Sequence, residues 1–180
     1  MAAILLAGAP GAGKSTISEQ LRDRQLRSID LDFGYARHED ENGSAVTYPD
    51  SPSLAWLNKH RWNWDPDRLT SALADCAGHT AVLAGTAYNM FSQLDRFDLV
   101  ILLHIDEATL ETRLADPKRN NIFGRTADEV AWSLSWRRTV ETELRQREAH
   151  VIDARQPVDQ VVDDVIHACA INGHPIGQLG

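Results

Sequence analysis

The stretch GAPGAGKS, Gly8 to Ser15, fits the pattern G-x-x-x-x-G-K-[S/T] without a mismatch. Glycines in such a loop open backbone conformations closed to other residues and turn successive N–H groups onto phosphate oxygens. A helix starting at the loop adds the partial positive charge of its N-terminus. Lys14 can then reach the β- and γ-phosphates of a nucleotide, and the Ser15 hydroxyl can ligate Mg²⁺. Gly8, Ala9, Pro10, Gly11, Ala12, Gly13, Lys14, Ser15 and Thr16 are therefore expected to bind the nucleotide. A second feature, SIDLDFGY at residues 28–35, sets Asp30 and Asp32 one residue apart. Side chains at i and i+2 of a strand share a face, so the two carboxylates repel unless a cation or a shared proton compensates them. Mg²⁺ beside a triphosphate is such a cation. A helix cap next to a solvated acid is the other way to read the pair.

These groups need a frame. AAILLAG is a continuous apolar run ending in glycine, as expected for a central strand buried on both faces of a parallel sheet. KSTISEQLRDRQ carries Ile17 and Leu21 at i, i+4 and predicts an amphipathic helix directly after the loop. LRSID, TAVLAG, DLVILLHI and HVID are further strand candidates, most of them separated by helical stretches, which argues a doubly wound α/β sheet with right-handed crossovers. PSLAWLNKHRW and DPDRLTSALADCA predict helices, the second capped by Asp65 with Pro66 at its first position. DEATLETRLA predicts another, Thr126 and Glu129 form a capping box opening a helix to about Gln146, and PVDQVVDDVIHACA predicts the last, before a frayed tail, INGHPIGQLG. Between the second and third strands, GYARHEDENGSAVTYPDSPS is polar and broken by Gly43, Pro49 and Pro52, and is expected to be a mobile flap over the substrate.

The chain has 180 residues, 43% hydrophobic and 24% charged, with a formal net charge of -8. One domain spanning residues 1–180 is expected. The negative field disfavours nucleic acid and anionic membranes, so a small-molecule partner is expected. No stretch approaches the roughly 20 apolar residues of a membrane span. The start MAAILLAGAP lacks the basic flank of a signal peptide, and Cys76 and Cys169 are expected as free thiols, which together suggest the cytoplasm. No histidine pair shows metal-ligand spacing.

With the loop, the aspartate pair and the basic stretch RLADPKRNNIFGRT in view, the chain resembles the nucleoside-monophosphate-kinase and shikimate-kinase group of P-loop phosphotransferases, including gluconate-kinase-like proteins. The resemblance implies a three-layer α/β P-loop NTPase fold with a five-stranded parallel sheet of order 2-3-1-4-5. It also implies a substrate-covering region at about residues 33–78 and a short LID at about 116–126. ATP and Mg²⁺ would be the cofactors, and the γ-phosphoryl group would pass to a small acceptor. Asp30 would support the metal beside Ser15, and Asp32 would hydrogen-bond the acceptor hydroxyl and help remove its proton. Arg113 would stack on adenine, Arg119 and Arg125 would fold over the phosphates with Lys14, and Arg155, Gln156 and Pro157 would form the adenine loop after strand 5. Asp106 imitates a Walker B aspartate, although DEAT also suits it as a helix cap, which the aspartate pair favours.

The acceptor side departs from the better-known members of the group. Tyr35 stands where adenylate-kinase-type enzymes carry a phosphate-gripping arginine, and AGTAYN stands where shikimate kinases show a triple glycine. A nucleoside monophosphate and shikimate are therefore both disfavoured. Phe33, Arg61, Trp62, Gly85 and Thr86 are expected to contact the acceptor together with Asp32; WLNKHRWNWD sets Trp56, Trp62 and Trp64 among Lys59, His60 and Arg61, which reads either as an aromatic wall with a cationic handle suited to a flat or sugar-containing alcohol or as helix packing beside solvated charges. Trp132 and Trp136, at i, i+4, are expected to be packing residues. The expected activity is an ATP- and Mg²⁺-dependent kinase acting on a hydroxyl of a metabolite, nucleoside or natural product, as monomer or homodimer. The alternatives are a nucleotide or nucleoside kinase and a nucleotide-dependent regulatory module.

Overall fold

In the computed structural model, residues 2–76, 78–119, 121 and 123–177 are described. β1 (Ala2–Ala7) is buried along its whole length, as its unbroken apolar sequence requires. It lies in the middle of a five-stranded parallel sheet, flanked by β5 (Thr80–Ala84) and β6 (Leu99–His104), with β2 (Ser28–Asp30) and β7 (His150–Asp153) at the edges. Counted among the parallel strands alone, this is the order 2-3-1-4-5 expected for the fold.

Successive residues of β1 face opposite sides, so the strand divides the core in two. Ile4 and Leu6 pack with Ile17 and Leu21 of α1 (Lys14–Asp23), Leu110 of α4 (Glu107–Leu114) and Val161, Val162 and Val165 of α6 (Val158–Ile171). Ala3 and Leu5 pack with Leu69 of α3 (Pro66–Asp75) and Val140 and Leu144 of α5 (Ala127–Gln146). The result is three layers. Each buried leucine contributes about 1.5–3 kcal/mol, which lets the sheet hold its C-terminal ends, where the polar groups gather, in fixed positions. Asp65 caps α3 with Pro66 at its first turn, and the Thr126/Glu129 capping box opens α5, both as the sequence predicts. No described helix is long and apolar enough to cross a membrane. Both cysteines are free and buried.

One region differs from expectation. The helix predicted to run through WLNKHRW ends early: α2 spans Leu54–Lys59, and Arg61–Trp64 is strand β4. β4 pairs antiparallel with β3 (Ala36–Glu39), which lies in the stretch expected to be an irregular flap. The reason is period. Trp62 and Trp64 alternate with Arg61 and Asn63, and Trp64 is buried in the core, so the two-residue period of a strand overrides helix propensity. The segment linking β3 to α2 is fixed at its own turn, where Asp40 accepts from the backbone N–H groups of Asn42 and Ser44. In the LID region Asn120 and Ile122 lie outside the described residues, as do residues 178–180 of the predicted tail.

Candidate active site

The glycine-rich loop connects the end of β1 to the start of α1. Gly13 takes a left-handed φ of 101° and enters the helix with no side-chain cap, leaving the first N–H groups of α1 for an anion. No acidic side chain occupies the first turn of α1 to compete for that charge. Lys14 is buried, and its ammonium donates to the carbonyls of Gly8 and Ala9 at 3.0 and 3.1 Å. Burial lowers its pKa, opposed by the charges of Asp32 and Asp30, while the nearby Arg119 lowers it further. The lysine is thus held inside the loop that should wrap a phosphate.

β2 ends at Asp30, so Asp30 and Asp32 are brought together by a turn and not by strand alternation. The Asp30 carboxylate accepts the Asp32 backbone N–H at 3.0 Å, which fixes the second aspartate relative to the first. Asp32 Oδ1 then accepts from the Trp62 indole N–H and the Thr86 backbone N–H, both at 3.4 Å. Burial raises the Asp32 pKa; Lys14 pulls it down and Asp30 raises it again. A carboxylate in such surroundings is tuned toward accepting a proton. Thr86 also holds the loop itself, because its hydroxyl donates to the Gly8 carbonyl at 2.6 Å and accepts the Gly8 N–H at 3.3 Å. Gly85 is explained by space: a Cβ there would stand 2.8 Å from Cβ of Leu31. Phe33 is well exposed beside Asp32.

The arginines are distributed less simply. Arg113 donates to the carbonyls of Ala12 and Ala154 at 3.2 and 2.6 Å, tying the glycine-rich loop to the turn after β7. Arg119 donates to the Phe123 carbonyl at 2.6 Å, and Arg125 donates to the Arg119 carbonyl at 3.2 Å, so the basic LID bonds to itself. Burial lowers the Arg119 pKa, and Arg125 adds to that. Arg155 grips Asp153 with two nitrogens and reaches Asp106 at 3.0 Å. Gln156 donates to the Asp153 carbonyl and to Asp164, and Pro157 precedes α6. Asp106 caps α4 through the Thr109 N–H at 2.8 Å, so both its oxygens are engaged and its pKa falls to about 2, mainly through the Thr109 bonds. Asp30 accepts one bond on a single oxygen and faces Lys14 electrostatically, and Ser15 is exposed in the first turn of α1. Among the described residues no three carboxylates, histidines or cysteines cluster to hold a metal alone. A hydroxyl and a carboxylate still suit Mg²⁺, which binds through one or two protein oxygens plus phosphates and water.

Around the β3–β4 ribbon three arginines have partners. Arg37 pairs with Glu39 and Asp65, Arg68 donates to the Gly34 carbonyl, and Arg61 lies 4.0 Å over the Tyr88 ring. Tyr35 packs against the core. Tyr88 stacks on Trp136 (5.7 Å between centroids), Trp136 on Trp132 (5.6 Å), and Trp132 meets Phe123 of the LID edge-on (5.7 Å). Phe123 reaches Tyr48 (6.3 Å), Tyr48 stacks on His38 (4.9 Å), and His38 touches Trp62 (4.9 Å), which returns to Asp32. Trp136 is packing, as predicted; Trp132 serves both the core and this belt. Of the belt, Trp62 and Arg61 were expected from sequence. The i, i+4 spacing of Trp132 and Trp136 was the available sign for α5, whereas no local pattern announced Tyr48, His38 or Phe123.

The Tyr48 hydroxyl also donates to Glu129, the buried carboxylate of the α5 capping box, which accepts the N–H groups of Arg125 and Thr126 at 3.0 and 2.9 Å. The segment before α2 is thereby joined to the base of the LID.

A family model described as an AAA domain matches residues 4–130. No curated protein matches the chain by sequence. Among solved structures, a gluconokinase from Sinorhizobium meliloti 1021 aligns at 17% identity with a TM-score of 0.56, covering 94% of this chain and 92% of that one. Shikimate kinase from Acinetobacter baumannii aligns at 16% and 0.56, covering 96% and 95%. Deoxyadenosine kinase from M. mycoides aligns at 17% and 0.54, covering 94% and 99%. At such identities the likeness is one of fold, that of the P-loop small-molecule kinases.

Proposed function

Because this chain belongs to the AAA domain family and has the fold of P-loop small-molecule kinases, we propose that it is an ATP- and Mg²⁺-dependent phosphotransferase whose acceptor is a hydroxyl of a small molecule. The observation that carries this reading is Asp32. It is a carboxylate with a raised pKa, held by Trp62 and Thr86. Thr86 also bonds to Gly8 of the glycine-rich loop. A simple nucleotide switch has no use for a proton acceptor fixed there.

In this reading Lys14 leaves the Gly8 and Ala9 carbonyls to meet the β- and γ-phosphates. Asp32 orients the acceptor hydroxyl and takes its proton as the oxygen attacks. Arg119 and Arg125, on a LID hinged by Gly124, oppose the charge on the transferring group. Ser15 and Asp30 would hold Mg²⁺, which when bound neutralises phosphate charge. The bonding of Arg37 and Arg68 within the protein, and Tyr35 in place of an arginine, favour an acceptor without a phosphate of its own. The test is a metabolite screen by mass spectrometry for the gain of one phosphoryl group, run with the wild type and Asp32→Asn. The variant should bind ATP as the wild type does and lose about 10²–10⁴-fold in transfer rate. Full activity in Asp32→Asn excludes the assigned role.

A further inference from the structure

The strand order puts one residue between the two halves of the site. β5 lies between β2 and β1, and all three run parallel. The chain leaving β5 therefore emerges between the turn that carries Asp30 and Asp32, after β2, and the glycine-rich loop, after β1. The end of β5 is tied on both sides: the Leu31 N–H donates to the Ala84 carbonyl at 2.7 Å, and the Gly85 N–H donates to the Leu6 carbonyl at 3.1 Å. Thr86 is the next residue and is buried, so the sheet itself sets its position.

From there Thr86 bonds in both directions. A hydroxyl can donate and accept at once, and this one holds both backbone groups of Gly8, donating to the carbonyl at 2.6 Å and accepting the N–H at 3.3 Å. The Thr86 N–H reaches Asp32 Oδ1 at 3.4 Å. Trp62 takes the same oxygen, and among the described residues no donor takes Oδ2, the oxygen left for a proton. Gly8 is closed in from its other side as well, where a Cβ would stand 3.0 Å from the Leu103 carbonyl oxygen and 3.1 Å from Cβ of Ala12. Its carbonyl is shared between Thr86 and the Lys14 ammonium, which lies at 3.0 Å. When the lysine turns to a phosphate, Thr86 is the partner that stays. The loop then keeps its origin while its lysine moves.

Building on the kinase reading above, we propose that Thr86 is a positioning residue for phosphoryl transfer. Its hydroxyl holds the start of the phosphate loop and its N–H holds the Asp32 carboxylate. It thereby sets how far the transferred group stands from the oxygen that takes the acceptor's proton. Transfer is sensitive to that distance, since a misplacement of about 1 Å can cost on the order of 10²-fold.

The experiment compares the wild type with Thr86→Val, which keeps the shape and the N–H but lacks the hydroxyl, and with Thr86→Ser, which keeps the hydroxyl. Affinity for MgADP is read by titration calorimetry. Transfer from saturating MgATP to the metabolite pool is read by mass spectrometry. Circular dichroism shows whether each variant is folded, and Thr86→Ala replaces Thr86→Val if the valine is not accommodated. Thr86→Val should lower the transfer rate about 10–10²-fold and leave MgADP affinity within about threefold, because neither Lys14 nor the first N–H groups of α1 bond to Thr86. Thr86→Ser should restore most of the rate. In an Asp32→Asn background Thr86→Val should cost much less, because both changes act on one step. If the wild type transfers and Thr86→Val keeps its rate, loses affinity as much as rate, is not rescued by serine or costs the same without Asp32, the positioning role is overturned and the kinase reading stands. A wild type that binds MgADP but phosphorylates nothing in the pool overturns the kinase reading and this inference with it.

Discussion

Replacing Glu129 tests the junction between the LID and the β3–β4 region. The residue is 3% exposed, and its carboxylate accepts from the Arg125 and Thr126 N–H groups, the Thr126 hydroxyl and the Tyr48 hydroxyl. Glu129→Ala removes one half of a capping box, costing about 1 kcal/mol. It also strands the Tyr48 hydroxyl, whose bond to a charged acceptor is worth about 1.5–3 kcal/mol. The sum is about 3 kcal/mol, or about 6–12 °C in Tm for a chain of this size. Glu129→Gln should lose much less, because one oxygen can keep the backbone donors while the amide donates to the Tyr48 oxygen. Urea unfolding followed by tryptophan fluorescence gives the free energies, and Tyr48→Phe completes a cycle in which Glu129→Ala and Tyr48→Phe together cost about 1–2 kcal/mol less than their sum. A loss below about 1 kcal/mol for Glu129→Ala, or strict additivity with Tyr48→Phe, refutes this coupling. There is also a sign to check. Burial alone would raise the Glu129 pKa, but the bonds from Tyr48, Thr126 and Arg125 outweigh it and hold it low. The contribution is therefore full above the ordinary carboxylate range and fades as pH falls through the folded value, a dependence that Glu129→Gln should lack.

Lys14→Ala should abolish phosphoryl transfer while the protein stays folded, as checked by mass-spectrometric product and circular dichroism; residual turnover near wild type contradicts the loop assignment. Gly85→Ala should cost about 1–3 kcal/mol by overpacking against Leu31, read by urea unfolding. Asp106→Asn should narrow the acid limb of the stability profile: the folded pKa of about 2 lies below the ordinary 3.8, so the wild-type advantage is full above about pH 4 and is lost toward pH 2, as melting temperatures across pH will show.

The parallel sheet was legible because β1 and the strands beside it are buried on both faces and carry unbroken apolar runs, and the glycine-rich loop because its spacing is tied to backbone geometry. The aspartate pair was legible as residues but not as geometry, since a turn, and not a strand face, joins Asp30 to Asp32. β3 was hidden because Ala36–Glu39 has little apolar character and gains its order from a partner 25 residues or so away in sequence, where Leu54–Lys59 imposed a helical reading on β4. The belt was hidden for a similar reason. Tyr48, Phe123 and Tyr88 come from separate loops, and contacts between distant segments leave no period in the sequence.

The β3–β4 ribbon pairs with no strand of the parallel sheet, which completes its ladder without it. The segment 36–64 is instead joined to the sheet through side chains, above all Trp64, which is buried in the core with Leu5 and Leu31. It enters at Tyr35, whose carbonyl accepts the Asp65 N–H, and it is seated from outside by Asn89, which accepts the Trp64 N–H. An exchange of this segment by recombination or design therefore has to supply a large aromatic side chain at position 64, because the core of the sheet closes on it.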